Sequence, residues 1–161
     1  MPKRTSPSPP AAEIDVDFHA AVARRLRAVR QRYSTGRRVI AVVLAAADRP
    51  LTAPEVVDLD SGLSVSSVYR NLAVLEQAGV VRRLVTQEEN ARYELAEVFT
   101  HHHHHLVCER CGIIMDYEPP AALERALQRA LDAIPQGTFQ PRSHHIQILG
   151  LCPGCSRAAT R

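Results

Sequence analysis

The chain has no tryptophan and only seven aromatic residues in 161, four tyrosines and three phenylalanines. With so few large side chains, two lobes of about 80 residues each are marginal on burial alone. A structural metal or a subunit interface is the expected supplement. No run of eighteen apolar residues occurs, which excludes a helical membrane span. Met1-Pro2-Lys3-Arg4 leads into serine and proline rather than a hydrophobic signal segment, so the expected location is cytoplasmic. Acidic residues are missing from Phe18 to Arg38, where seven arginines occur (24, 25, 27, 30, 32, 37 and 38). From Ala96 onward, six basic and six acidic residues cancel. The net charge of +3 is small, but it belongs to the N-terminal half. A basic segment so placed suits nucleic-acid phosphates or a solvated helix face.

What is present divides the chain. Residues 1–17, rich in proline and serine, read as a disordered tail. Asp17 is a cap candidate for a helix over 18–33 with Phe18, Val22, Leu26 and Val29 in one stripe. A second helix, 36–47, carries Val39, Ile40, Val43 and Leu44 and stops before Asp48-Arg49-Pro50. Thr52 and Glu55 have capping-box spacing for a short helix over 53–60, followed by the turn Asp60-Ser61-Gly62. Ser64 opens a helix to Ala78, with Val65, Val68, Leu72 and Leu75 inward and Gly79 as its stop. Its other face shows Ser66, Ser67, Tyr69, Arg70, Ala73 and Gln77, the layout of a helix-turn-helix recognition element. Strands over 80–86 and 91–95 around the turn Gln87–Asn90 complete a winged helix, with Arg82, Arg83 and Arg92 available to phosphates. Residues 96–100 read as a hinge. Beyond it, strands over 103–108, 113–117 and 145–151 and a helix over 120–134 form a small α/β lobe. Leu123, Leu127, Leu131 and Ile134 of that helix are expected inward, and the sheet's exposed edge suits pairing with a second copy. The expected class is α+β: a winged helix-turn-helix domain (18–95), a hinge, and a dimerisation and metal-binding domain (101–161).

The densest chemistry lies in mid-chain. Five histidines, His101 to His105, run into Cys108-x-x-Cys111-Gly112, and Cys152-x-x-Cys155 closes the chain. A purification tag sits at a terminus and is not followed by cysteines at ligand spacing. Four thiolates satisfy tetrahedral zinc and leave no open position, so Cys108, Cys111, Cys152 and Cys155 form a structural site whose binding energy is folding energy. A redox Cys-x-x-Cys needs a thioredoxin-like context, which is missing. In a strand, alternate side chains point to opposite faces. His101, His103 and His105 therefore share one face, and His102 and His104 the other, so one strand feeds two further sites. Glu94 and Asp116 are candidate partners for the first, and Glu124 and His144 for the second. Nitrogen and oxygen donors without thiolate suit a reversible ion: zinc, iron(II), manganese or nickel. An enzyme is not expected. A zinc deaminase requires His-x-Glu and Pro-Cys-x-x-Cys; the first is absent, and the proline here lies inside Cys152-Pro153-Gly154-Cys155. A metal buffer or chaperone is the rival from a different class, and it has no use for a helix-turn-helix.

The segments Ser64–Leu72 (SVSSVYRNL) and Arg92–Leu95 (RYEL), the histidine run into Cys108-x-x-Cys111-Gly112, and the terminal Cys152-x-x-Cys155 together resemble the Fur family of metal-dependent repressors. The resemblance covers residues 20–156. It implies a homodimeric winged-helix repressor that binds palindromic double-stranded DNA through residues such as Ser66, Ser67, Tyr69 and Arg70. It also implies a sensory site at Glu94, His103, His105 and Asp116, and a second site at His102, His104, Glu124 and His144. The structural ion is then Zn2+ and the regulatory one Zn2+ or Fe2+, with manganese-, nickel- and peroxide-responsive members of the family as alternatives. Departures are visible: Asp48-Arg49-Pro50 stands where many relatives have a histidine. Arg82 and Ala96 stand where zinc-sensing relatives carry Asp and Cys. Glu94 stands where peroxide-sensing relatives use Asp.

Overall fold

The computed structural model describes residues 16–59, 62–84 and 91–159. The proline-rich tail up to residue 15, residues 60–61 of the turn after the third helix, and the wing turn Gln87–Asn90 lie outside the described residues. The chain divides into two compact units after His101. Among the described residues no helix is long and apolar enough to cross a membrane.

The first unit holds α1 (Val16–Ala28), α2 (Thr35–Ala46), β1 (Leu51–Thr52), α3 (Ala53–Leu59), α4 (Val65–Gln77), β2 (Val81–Leu84), β3 (Arg92–Leu95) and a single 3-10 turn, Glu97–Phe99. Its core is the sum of the helical stripes: Val22 and Leu26, Ile40 and Leu44, Val56, then Val68, Leu72 and Leu75, closed by Val80, Val81, Tyr93 and Leu95. Val65, expected inward, is instead 44% exposed in the first turn of α4. β3 lies between β1 and β2, antiparallel to both. β1 was not anticipated; two residues carry too little periodicity to read.

Both long-helix ends have a local cause. α4 is capped by Ser64, whose hydroxyl accepts from the Ser67 N–H at 3.3 Å. It stops at Gly79 (φ 64°), with Gly79 N–H bonded to Glu76 O and Val80 N–H to Leu75 O. This double bond pattern around a left-handed residue satisfies carbonyls that the helix end would otherwise leave open. α1 ends the same way, with Arg30 (φ 57°) in the left-handed position, Arg30 N–H on Arg27 O and Gln31 N–H on Leu26 O. The helix therefore stops at Ala28 rather than 33, because a non-glycine residue takes a conformation that sequence reading assigns to glycine. Asp17, expected as its cap, lies inside the first turn.

The Thr52–Glu55 capping box forms. Glu55 N–H donates to Thr52 Oγ1 at 3.3 Å, and Thr52 N–H to Glu55 Oε2 at 2.7 Å. Arg49 Nη2 also donates to Glu55 Oε1 at 2.7 Å, and Arg92 Nη1 lies 3.4 Å from Oε2. Partial burial pushes the Glu55 carboxyl up, but the hydrogen bonds from Arg49 and Thr52 outweigh it, bringing it from 4.5 down to about 2. A carboxyl depressed in the folded state stabilises the fold above its unfolded value, and that stability is lost as pH falls through the folded value. Thermal unfolding followed against pH should therefore show a loss between about pH 4.5 and 2 that Glu55→Gln abolishes. At neutral pH the same substitution should cost about 1–2 kcal/mol.

The second unit holds β4 (His104–Cys108), β5 (Ile114–Tyr117), α5 (Ala121–Asp132), β6 (Gln147–Gly150) and a terminal helix, α6 (Pro153–Ala159). The sheet order is β5-β4-β6, antiparallel between β5 and β4 and parallel between β4 and β6. α6 was not anticipated, although Pro153 at its first position is a start signal. Nor does α5 bury its apolar face as expected. None of its residues is fully buried, Leu123 is 39% exposed, and Leu127, Leu131 and Ile134 are half-buried. The buried centre of this unit consists of Val107, Cys108 and Ile114 beside His103, His104 and His105. Buried imidazoles cost free energy unless their nitrogens are bonded, so this lobe is organised around polar donors rather than oil.

Candidate metal centres and nucleic-acid face

The sulfur site follows from the sheet. β4 and β6 run parallel in register, with Cys108 opposite Gly150, so both Cys-x-x-Cys segments leave the same end of neighbouring strands. Gly112 (φ 62°) lets the first segment turn tightly, and Gly112 N–H closes on Cys108 O at 2.9 Å. The second segment winds into α6, with Ser156 N–H on Cys152 O at 2.9 Å. The four sulfurs all lie within 4.8 Å of one another, and Cys111 Sγ is 3.7 Å from Cys152 Sγ. A zinc tetrahedron with bonds of about 2.3 Å has sulfur–sulfur edges of roughly 3.8 Å, so the set fits that ion. The backbone N–H of Cys152 donates to Cys108 Sγ at 3.3 Å and, with other amides, holds that thiol down to about 6. Cys155, sharing hydrogen bonds with Cys111 and its neighbours, is pushed up to about 12. Four crowded thiols thus resist joint ionisation until a dication supplies the missing charge.

Alternation along residues 102–105, the last two of them in β4, divides the histidines between two groups. His102 and His104 come together with Glu124 of α5 and His144 before β6. His104 Nε2 is 2.7 Å from Glu124 Oε1, His144 Nε2 is 3.1 Å from Oε2, and His102 Nε2 is 3.6 Å from Oε2. Burial pushes the Glu124 carboxyl up, but the bonds from His104 and His144 prevail and lower it. Ile146 N–H donates to His104 Nδ1 at 3.2 Å. Three imidazoles and a carboxylate are a suitable donor set for zinc.

On the opposite face, His103 and His105 meet Asp116, which pairs with His105 across the β4–β5 ladder. Each Nε2 lies 4.0 Å from Asp116 Oδ1. That is too long for a hydrogen bond, yet within the roughly 4.2 Å that two metal–ligand bonds of about 2.1 Å span. Both rings are nearly fully buried while Asp116 is 42% exposed, so a small ion has an open approach past the carboxylate. Glu94 belongs to the first unit, on β3 opposite Arg82. His101 is the last residue of that unit and exposed.

The polar face of α4 read from the sequence is exposed in large part. Ser66, Tyr69 and Arg70 are exposed, and Ser67 is half-buried with its carbonyl accepting from Asn71 Nδ2 at 2.9 Å. The arginines divide. Arg24, Arg27, Arg30, Arg32 and Arg38 are exposed, but Arg25 donates to Gly79 O at 3.3 Å and Arg37 to Gln31 Oε1 at 3.0 Å. Of Arg82, Arg83 and Arg92, only Arg83 is exposed. Arg82 is paired with Glu94 and Arg92 with Glu55, which corrects the expectation that all three reach phosphates. Strand register placed a carboxylate opposite one, and α3 brought a carboxylate to the other. Composition carries no signal for either pairing.

The chain is similar to several known proteins. Residues 29–148 match the ferric uptake regulator family. The peroxide-responsive repressor PerR of Staphylococcus aureus is 33% identical over 95 residues, and the chain spans 58% of the length of this curated relative. The ferric uptake regulator of Helicobacter pylori, described as having three functional metal binding sites, superimposes with a TM-score of 0.65 at 26% identity. That match covers 86% of this chain and 93% of the other. The Vibrio cholerae ferric uptake regulator gives 0.62 at 25% identity, covering 80% and 98%.

Proposed function

The chain belongs to the ferric uptake regulator family, and from that premise we propose that it is a metal-sensing repressor that binds operator DNA as a homodimer. The observation that carries the reading is one strand, β4. With the residue just before it, His103, it supplies histidines to two separate donor groups, His103 and His105 to one and His104 to the other, and it ends at Cys108 of the sulfur site.

Cys108, Cys111, Cys152 and Cys155 hold the permanent zinc and tie β4 to β6. His102, His104, Glu124 and His144 brace α5 against the sheet and form the second site. Glu94, His103, His105 and Asp116 form the regulatory site. A divalent ion there supplies charge and fixed coordination angles. Glu94 comes from the DNA-binding unit, while both histidines and Asp116 come from the other. Sharing one ion restricts the angle between units, and the free protein samples more orientations than DNA accepts. Zinc or iron(II) is the proposed regulator. Likeness to a peroxide-responsive repressor supports a peroxide response as a second reading, which loss of DNA binding on peroxide treatment of the iron-loaded protein would identify.

The dimer is supported by β6, an edge strand whose Ile148 and Leu149 are 43% and 54% exposed, with Leu151 beyond it at 50%. Apolar side chains on an open edge invite a second copy. Leu149→Asp should sediment as a monomer and lose palindromic operator binding by at least a hundredfold. On the operator, Arg70→Ala should cost about 1–3 kcal/mol and relax sequence preference, whereas Arg38→Ala should weaken all sequences alike.

The deciding experiment is binding to operator DNA selected from a random pool, at physiological salt, before and after chelation of the exchangeable ion. Affinity should fall on chelation and return with metal. Affinity indifferent to chelation would sink the proposal, and a chain that binds metal but no DNA is a buffer.

A further inference from the structure

We propose that Arg82 is a built-in rival of the regulatory cation, holding Glu94 in the metal-free protein and so setting the ion concentration at which the sensor responds. The inference rests on the reading that Glu94 is a ligand of that ion. Arg82 stands on β2 directly opposite Glu94 on β3. Its Nε donates to Glu94 Oε1 at 2.8 Å, and its Nη2 reaches the same oxygen. Its Nη1 lies 3.5 Å from Glu97 Oε1, in the 3-10 turn that follows β3. The Arg82 and Glu94 side chains are only 16% and 10% exposed, and Glu97 is 26% exposed.

A carboxylate this buried needs a positive partner, and removing that partner is strongly unfavourable. Arginine stays charged at any physiological pH, so it does not yield by losing a proton. Glu94 therefore has two suitors for one oxygen, the guanidinium and the ion, and coordination requires the guanidinium to withdraw. Glu97 is already within reach of the departing group and receives it. The exchange is of one cation for another at Glu94, with Arg82 passed to the next carboxylate. It converts intrinsic affinity into a weaker apparent one, reduced by the fraction of molecules in which Glu94 is released.

The test is a cobalt(II) titration, in competition with a fluorescent chelator, of the full chain with zinc in its sulfur site. His144→Ala in every sample weakens the second site. Arg82→Gln should tighten cobalt by tenfold or more and lower the melting temperature of the cobalt-free protein, with cobalt restoring it. Arg82→Lys, which keeps the charge but loses the planar fork, should fall between and serves if the glutamine variant folds poorly. Glu97→Gln should weaken cobalt, since Arg82 then has less to move to. If Glu94→Gln weakens cobalt while both Arg82 variants leave it unchanged or weaker, the rivalry is wrong and Glu94 remains a ligand. If Glu94→Gln leaves cobalt unchanged, the ligand reading itself fails and the rivalry falls with it.

Discussion

Replacing Cys111 with serine should empty the sulfur site and unfold the second unit while the first stays folded. The second unit buries few apolar side chains: among the described residues Val107, Cys108 and Ile114 are its buried apolar ones, and α5 contributes none. The sulfur site is what joins β4 and β6 at the end where both Cys-x-x-Cys segments emerge. Structural zinc sites supply apparent binding free energies of about 10–16 kcal/mol, more than a lobe of this size gains from burial. The first unit keeps a continuous core from α1 to β3, so its unfolding should be little altered. Hydrogen exchange resolved by segment, together with zinc content, checks this. A zinc-free variant with protected β4 amides would contradict it. The same site should empty on acidification, because protons compete with the ion for thiolates and binding releases protons. Stability is then present at high pH and lost as pH falls.

His105→Ala should leave zinc in the sulfur site and the fold intact, yet make operator binding blind to the exchangeable metal. His105 is 1% exposed and shares Asp116 with His103, so removing it takes away one of two buried imidazoles in that set. Coupling between effector and DNA is typically 1–3 kcal/mol, so affinity with metal present should drop about 5–150-fold, to the chelated value. The control is His144→Ala, which disturbs only the group around Glu124 and should change metal-dependent binding much less. Equal losses from both would show that the two faces of β4 act as one switch. Fluorescence anisotropy of labelled operator across a metal series reads either outcome.

Much of this was legible because it depends on near neighbours in the chain. The stripe Val68, Leu72, Leu75 needs only helical spacing, and Gly79 needs only its freedom at positive φ. Histidine parity needs only the two-residue period of a strand. That period alone separated His103 and His105 from His102 and His104, before any partner was known. Cysteine spacing likewise announced a closed four-sulfur site, since few other uses exist for two such pairs.

What the chain could not announce is which elements meet. Arg82 and Arg92 look identical to Arg83 in sequence, but register set Glu94 opposite one and α3 brought Glu55 to another. Arg30 ends α1 in a left-handed conformation that its residue type does not announce. The α5 stripe reads as core, yet none of its residues is fully buried. Thus local periodicity and donor spacing determined most of the elements, the four-cysteine cluster and the division of the histidines. Tertiary structure alone decided which charges are neutralised and which apolar faces remain open, because those depend on contacts between residues far apart in the chain.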